Sequence, residues 1–305
     1  MHHQIANVSG IRLAYETFGD KDNPAILLIH GLGTQMIGWP ESLCHQLADL
    51  GFYIIRFDNR DVGKSSNLIS LGKPSLVRIG IATSLGRPAN TPYTVRHMAQ
   101  DTVALMDFLQ VDKAHIVGAS MGGMIAQWMG IAYPQRVASL TLMMTSSGRK
   151  GLPGPNLKVR MALLGNPSPS DRQACINQGV KVWKKLAGKS YPSTEAEVTH
   201  FVTRSVDRGY NPLGIMRQLS AIMADSERCA RLREIDRPTL VIHGDDDPML
   251  PLPNGIDLWH RVPNAQMEVI EGWGHDLPVG VIPRLVNLIF EHIRGETNNP
   301  VAAAV

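Results

Sequence analysis

Ala114-His115-Ile116-Val117-Gly118-Ala119-Ser120-Met121-Gly122-Gly123 is the stretch whose reading decides the fold of this chain. Ile116 and Val117 read as a short buried strand, and a helix begins near Met121. Between them lies Gly-x-Ser-x-Gly. To stand Ser120 Oγ at the tip of a strand-to-helix turn, the backbone must take a strained conformation. Gly118 and Gly122 lack the Cβ atoms that would collide where strand and helix close on each other. The helix N-terminus then aims backbone N–H groups at the serine, where negative charge can be stabilised. Alone, Gly-x-Ser-x-Gly is a weak signal, since 28 of the 305 residues are glycine and a Gly-rich turn would match it too. The apolar run before it and the helix-forming Met-Ile-Ala-Gln-Trp-Met-Gly-Ile-Ala after it point to a serine nucleophile on an elbow. Such a nucleophile needs a base, an acid to orient that base, and oxyanion donors from elsewhere in the chain.

The composition leaves room for that machinery. The chain is 44% hydrophobic and 19% charged, with enough length for a substantial core. Thirty basic residues against 27 acidic ones leave +3, too small an imbalance to imply nucleic acid or an anionic membrane. The densest basic stretch, Lys181 to Lys185, reads as a solvated helix face. Cys44, Cys175 and Cys229 are odd in number and scattered, which points to free thiols in a reducing cytosol. The opening Met-His-His-Gln is not a signal peptide and no run has the length of a transmembrane helix, so the expected location is cytoplasmic, without membrane insertion. Monomer and homodimer both stay open.

Outward from the elbow, buried strands alternate with helices. Ile5 to Phe18 reads as a hairpin turning at Ser9-Gly10, with Arg12, Ala14 and Glu16 alternating against Leu13 and Tyr15. Ala25–Ile29 and Phe52–Phe57 are continuous apolar runs, as strands covered on both faces would be. A helix fits Pro40 to Leu50 and ends at Gly51. Residues 67–92 form a connection too long to be idle, whose apolar Leu76–Leu85 suits a short helix at the mouth of a site. Thr94 caps a helix to about Leu109, and Val137–Met144 is another strand. From Ser146 to about Leu232 the pattern changes to amphipathic helices: Leu157–Leu164, Asp171–Leu186, Thr194–Arg208 and Pro212–Ala224. Strands return at Pro238–His243 and Ala265–Ile270, a helix covers Ile282–Arg294, and Gly295–Val305 reads as a loose tail. The expected class is α/β: a mostly parallel, doubly wound sheet (1–145 and 233–305) with an inserted all-helical cap (146–232).

Among the eleven histidines, His275 is the one in a suitable loop after the last strand, in Glu-Gly-Trp-Gly-His-Asp-Leu-Pro. The others are terminal, sit on helix or strand faces, or belong to other motifs, and none shows metal-ligand spacing, so no metal and no cofactor are expected. The acid should follow the strand ending at His243, where Asp245, Asp246 and Asp247 stand together before Pro248. They cannot all face one imidazole; any of them could instead cap a turn.

With these residues in place, the chain resembles the α/β-hydrolase superfamily, most strongly over about 10–145 and 235–295. Gly38-Trp39-Pro40, Arg56-Phe-Asp-Asn-Arg-Asp-Val-Gly-Lys-Ser65 and Gly118-Ala-Ser-Met-Gly-Gly123 look like the aclacinomycin methylesterase group and related bacterial carboxylesterases. The resemblance singles out Asp247, the fourth position of the family's Gly-x-x-Asp loop. It implies a cap over the site and hydrolysis of a carboxylic ester. In that scheme Asp247 orients His275, His275 takes the Ser120 proton, and Ser120 attacks a carbonyl to give an acyl-enzyme. The oxyanion donors would be the N–H groups of Leu32, in His30-Gly31-Leu32-Gly33, and Met121. His30 reads as a structural hydrogen-bonder of its loop; Asp58, Arg60 and Ser65 read as braces. Met36, Ile37, Met161, Leu164, Met249 and Leu250 are the candidate pocket walls, apolar and suited to a neutral small-molecule ester. The same scaffold would also serve a carbon–carbon bond hydrolase, a lactonase, a proline iminopeptidase or, without catalysis, a ligand-binding protein. The iminopeptidase needs cap carboxylates, for which Glu195 and Glu197 are the candidates.

Overall fold

The computed structural model describes residues 3–165 and 167–295. The expected tail therefore falls, from residue 296 on, outside the described residues. Eight strands form one sheet: β1 (Gln4–Val8), β2 (Ile11–Phe18), β3 (Ala25–Ile29), β4 (Tyr53–Phe57), β5 (Ala114–Ala119), β6 (Val137–Met143), β7 (Thr239–Gly244) and β8 (Gln266–Ile270). Their order is β1-β2-β4-β3-β5-β6-β7-β8. β2 runs antiparallel to both of its neighbours, and β4 to β8 with β3 are parallel. The helices are α1 (Glu41–Asp49), α2 (Leu76–Ser84), α3 (Val95–Phe108), α4 (Met121–Ala132), α5 (Leu157–Leu163), α6 (Arg172–Leu186), α7 (Glu195–Arg208), α8 (Pro212–Met223), α9 (Arg228–Arg231), α10 (Pro253–Arg261) and α11 (Ile282–Arg294).

The unbroken apolar strands follow from coverage on both faces. Successive side chains of β3 go to opposite sides: Leu27 and Ile29 join one core cluster with α3 and α4, Ile26 and Leu28 the other with α1 and α11. Each such side chain contributes roughly 2 kcal/mol through burial. The alternation expected in β2 is incomplete, because β2 lies inside the sheet against β4 and Ala14 is wholly buried there. The hairpin turn has Ser9 at φ 48° and Gly10 at φ 80°, the paired positive values that suit the twist of two strands.

Helix α10 has no counterpart in the sequence reading. Its cue is Pro253 at the first helical position, with Leu258 buried beneath it. Between β6 and β7 the elements are helical, α5 to α9, and α2 forms within the long connection after β4. α2 rests on α8, where Met223 lies against Gly80.

Candidate active site

Ser120 sits between β5 and α4 at φ 55° and ψ −120°. A conformation of that kind costs about 1–3 kcal/mol and persists only when its surroundings hold it. Here Ser120 N–H donates to Met143 O (3.0 Å), and Ser120 O accepts from Thr145 Oγ1 (2.7 Å) and Gly123 N–H (3.0 Å). The glycines are demanded by contact. A Cβ on Gly118 would overlap Gly122 O, and one on Gly122 would overlap Ile29 O.

His275 reaches the serine from the loop after β8. Its Nε2 lies 3.0 Å from Ser120 Oγ and its Nδ1 2.7 Å from Asp247 Oδ2. The loop is anchored at several points. Gly272, at φ 66°, donates its N–H to Asp245 Oδ1 (2.6 Å). Trp273 is wholly buried with its indole N–H on Asp276 O (2.8 Å). His275 N–H donates to Leu186 O at the end of α6 (2.7 Å), and Ser190 N–H to Gly272 O (3.0 Å).

The three aspartates after β7 are sorted by these contacts. Asp245 holds the histidine loop, Asp246 pairs with Lys189 at the surface (2.8 Å), and Asp247 alone meets His275. Asp247 Oδ1 accepts the N–H groups of Met249 and Leu250, both at 2.8 Å. Burial alone would raise the pKa of Asp247; His275, His243 and the Leu250 N–H outweigh it and keep the carboxyl below its ordinary range. His243 is wholly buried, with Nε2 2.7 Å from Leu250 O. Burial lowers its pKa, against the pull of Asp247, so the ring stays neutral.

On the other side of Ser120, Gly31 comes so close that a Cβ there would lie 2.9 Å from Ser120 Cβ and 3.3 Å from Oγ. Leu32 follows directly, and none of the described hydrogen bonds engages its N–H. The next amide, Gly33 N–H, donates to Gln218 Oε1 of α8 (2.8 Å). His30 Nδ1 accepts from Gly31 N–H (2.7 Å), and its ring lies against Trp39. Burial depresses the His30 pKa to about 3, so this ring is neutral and built into the loop. Asp58 accepts from Met36 N–H (2.7 Å) and Lys64 N–H (2.9 Å) and faces Arg208. Arg60 makes a bidentate pair with Asp101, and Ser65 Oγ links Ala14 N–H to Asp58 O. All three brace loops at the strand ends.

The proposed walls divide. Met36 and Ile37 are buried, and Met249 and Leu250 lie half-buried beside Asp247. Met161 and Leu164 must be corrected: they are 59% and 74% exposed, because α5 turns Val159 and Ala162 inward instead. Periodicity marks an apolar face without saying which side of a short helix is covered. Glu195 and Glu197 stand exposed at the start of α7, one paired with Lys184 and the other in a capping box with Thr194.

Two groups near the site were not expected from the sequence. Arg217 of α8 is wholly buried and grips Asp61 through Nε (2.8 Å) and Nη2 (2.7 Å), with Tyr93 Oη also on Asp61 (2.8 Å). Asp276, next to His275, is buried with Oδ1 unpartnered. Burial raises its pKa to about 7, opposed by His275 and assisted by Asp247. Among the described residues no cluster of His, Cys, Asp and Glu has metal-holding geometry, and no helix is long and apolar enough to cross a membrane.

A strand-to-helix serine thus faces a histidine and an aspartate from two later strand ends, over a sheet of this order. The sequence profile of the α/β hydrolase fold family matches residues 24–178, and the chain belongs to that family. It is 29% identical to rhodomycin D methylesterase DauP of Streptomyces sp., over 94% of this chain and 96% of that protein. It is 24% identical to 3-oxoadipate enol-lactonase 2 of Acinetobacter baylyi, over 86% of this chain and 85% of that one. Among solved structures, an enol-lactonase from Burkholderia xenovorans superposes with a TM-score of 0.73 at 20% identity, covering 95% of this chain and all of that one (100%). An esterase from Exiguobacterium antarcticum gives 0.71 at 19% identity, covering 96% and 100%. At such identities the superpositions speak for the fold.

Proposed function

We propose that the protein is a serine carboxylesterase acting on neutral, short-to-medium carboxylic esters. The observation that carries this reading is the continuous chain from Ser120 Oγ through His275 to Asp247, at 3.0 and 2.7 Å. His275 Nε2 takes the Ser120 proton as Oγ attacks the ester carbonyl carbon. The tetrahedral oxyanion is stabilised by the N–H groups of Leu32 and Met121, the latter at the N-terminus of α4. When the intermediate collapses, protonated His275 gives its proton to the departing alkoxide, leaving an acyl-enzyme. Water then repeats the steps with the acid as product.

Residues 146–232 act as the cap in this reading and 1–145 with 233–305 as the core. Neutral substrates are favoured because the cap's guanidinium groups facing the core are spent: Arg208 meets Asp58, Arg217 meets Asp61 and Arg228 meets Asp225. The surface positions of Glu195 and Glu197 weigh against an iminopeptidase. The methylesterase relative supports ester hydrolysis, and the enol-lactonase relative supports the same chemistry on a cyclic ester. The unpaired Cys44, Cys175 and Cys229 suit a cytoplasmic enzyme. A p-nitrophenyl ester series from acetate to palmitate tests the proposal, with kcat/KM expected to peak at short or medium acyl chains. No ester turnover, with activity on lactones or carbon–carbon bonds instead, would refute it, and a maximum at palmitate would make the enzyme a lipase.

A further inference from the structure

Residues 62–100 contain no Asp or Glu, and neither do residues 145–170. The first stretch carries α2 and the second leads into α5. They touch where Lys150 Nζ donates to Thr83 O (3.0 Å). On α2 and its C-cap, Val77, Ile81 and Leu85 stand on one face at 74%, 55% and 62% exposure, while Ile79 is the buried residue. On α5 and its C-cap, Leu157, Met161 and Leu164 do the same at 73%, 59% and 74%. A helix of a globular protein ordinarily turns such a stripe toward the core. Here both turn it to solvent.

Exposed cations lie along both stretches. Lys73, Arg78 and Arg87 flank α2, Lys158 and Arg160 lie on α5, and all are exposed. Beside the N-terminal half of α2 an open hollow of about 500 Å³ has Lys73, Ser75 and Arg78 in its wall. The whole chain carries only +3, so this positive field is local.

We propose that α2 and α5 form a docking face for an anionic lipid surface, with the apolar side chains entering the headgroup layer and the cations meeting lipid phosphates. Apolar side chains interspersed with Lys and Arg, on stretches that themselves carry no Asp or Glu, are what reversible interfacial adsorption requires. Charge decides against a second copy of this chain as the occupant, because self-association through this face would press two like-charged stretches together. The face is independent of the reaction proposed above.

Flotation of the full-length protein with vesicles tests it. With mixed phosphatidylcholine and phosphatidylglycerol at low salt the protein should float with the lipid. Binding should be about tenfold weaker on phosphatidylcholine alone and should fall as salt is raised. The combined variant Val77→Glu, Ile81→Glu, Leu85→Glu should lose at least about tenfold in partitioning. The pair Arg78→Glu, Arg87→Glu should weaken binding to the anionic vesicles only. Both are surface changes and should keep the wild-type thermal midpoint; either alone suffices for the test. Absence of flotation on anionic vesicles at low salt, or flotation indifferent to both variants, overturns the proposal. So does a concentration-dependent dimer that the triple variant dissolves while no vesicle binds, which would assign the face to a second copy.

Discussion

In the sheet, neighbouring elements meet through wholly buried Leu, Ile and Val, whereas α8 meets the loops at the strand ends through Arg217, Gln218 and Asn211. Apolar contact is non-directional and tolerates repacking, so it fixes that the strands are buried more firmly than it fixes any single side chain. A buried guanidinium on a buried carboxylate is the opposite: it is directional, and removing one partner leaves the other stranded. The helices between β6 and β7 are thus held by contacts that specify position, and two of these, Gln218 on Gly33 and Leu186 on His275, reach loops beside Ser120.

The largest effects should come from the core side. Ser120→Ala and His275→Ala are each expected to lower kcat/KM by about 10⁴ or more, and Asp247→Asn by nearly as much, with thermal midpoints little changed. A Ser120→Ala enzyme retaining a tenth of its activity would remove the reaction from the strand ends altogether. On the helical side, Arg217→Met should cost about 3–5 kcal/mol in urea unfolding, because Asp61 is left buried and unpaired. Adding Asp61→Asn should recover part of that loss. If Arg217→Met costs under about 1 kcal/mol, the two regions are not held differently.

Asp276 sharpens the comparison by pH. Its folded-state value of about 7 lies above the ordinary 3.8, so between them the folded protein binds this proton more tightly than the unfolded chain. The resulting stability is fully present below the lower value and is lost as pH rises toward 7, up to about 4 kcal/mol in all. Asp276→Asn should flatten this slope, so that wild type and variant diverge between urea midpoints measured at pH 5 and pH 8. Equal midpoint shifts in both proteins would contradict the assignment. The smallest effect belongs to Asp246→Asn, whose partner Lys189 is 86% exposed. Its kcat/KM should stay within about twofold of wild type; a dead variant would mean that Asp246 is the acid.

The sequence carries most where local chemistry and position coincide. The elbow is legible because Gly118 and Gly122 answer a steric need set within a few residues. The apolar strands are legible because coverage on both faces leaves no polar alternation. The histidine loop and the aspartate cluster can be located from chain order, but only the folded geometry separates Asp245, which holds a backbone amide, from Asp247, which meets an imidazole. Arg217 and Asp61 lie 156 positions apart, and neither residue advertises its partner. The outward turn of Met161 and Leu164 is hidden for a related reason: helical spacing is the same whether a face meets a core or water. Asp276 looks like any loop carboxylate until its burial is known.

The pairing of Leu186 O with His275 N–H, and of Gly272 O with Ser190 N–H, makes the end of α6 a splint for the loop bearing the imidazole. A splint transmits looseness as well as support. Fraying of that helix end on warming releases the imidazole before the sheet yields, so heat inactivation should run ahead of the loss of far-ultraviolet circular dichroism by several degrees. Coincident curves would show that the splint lets go only when the whole molecule does.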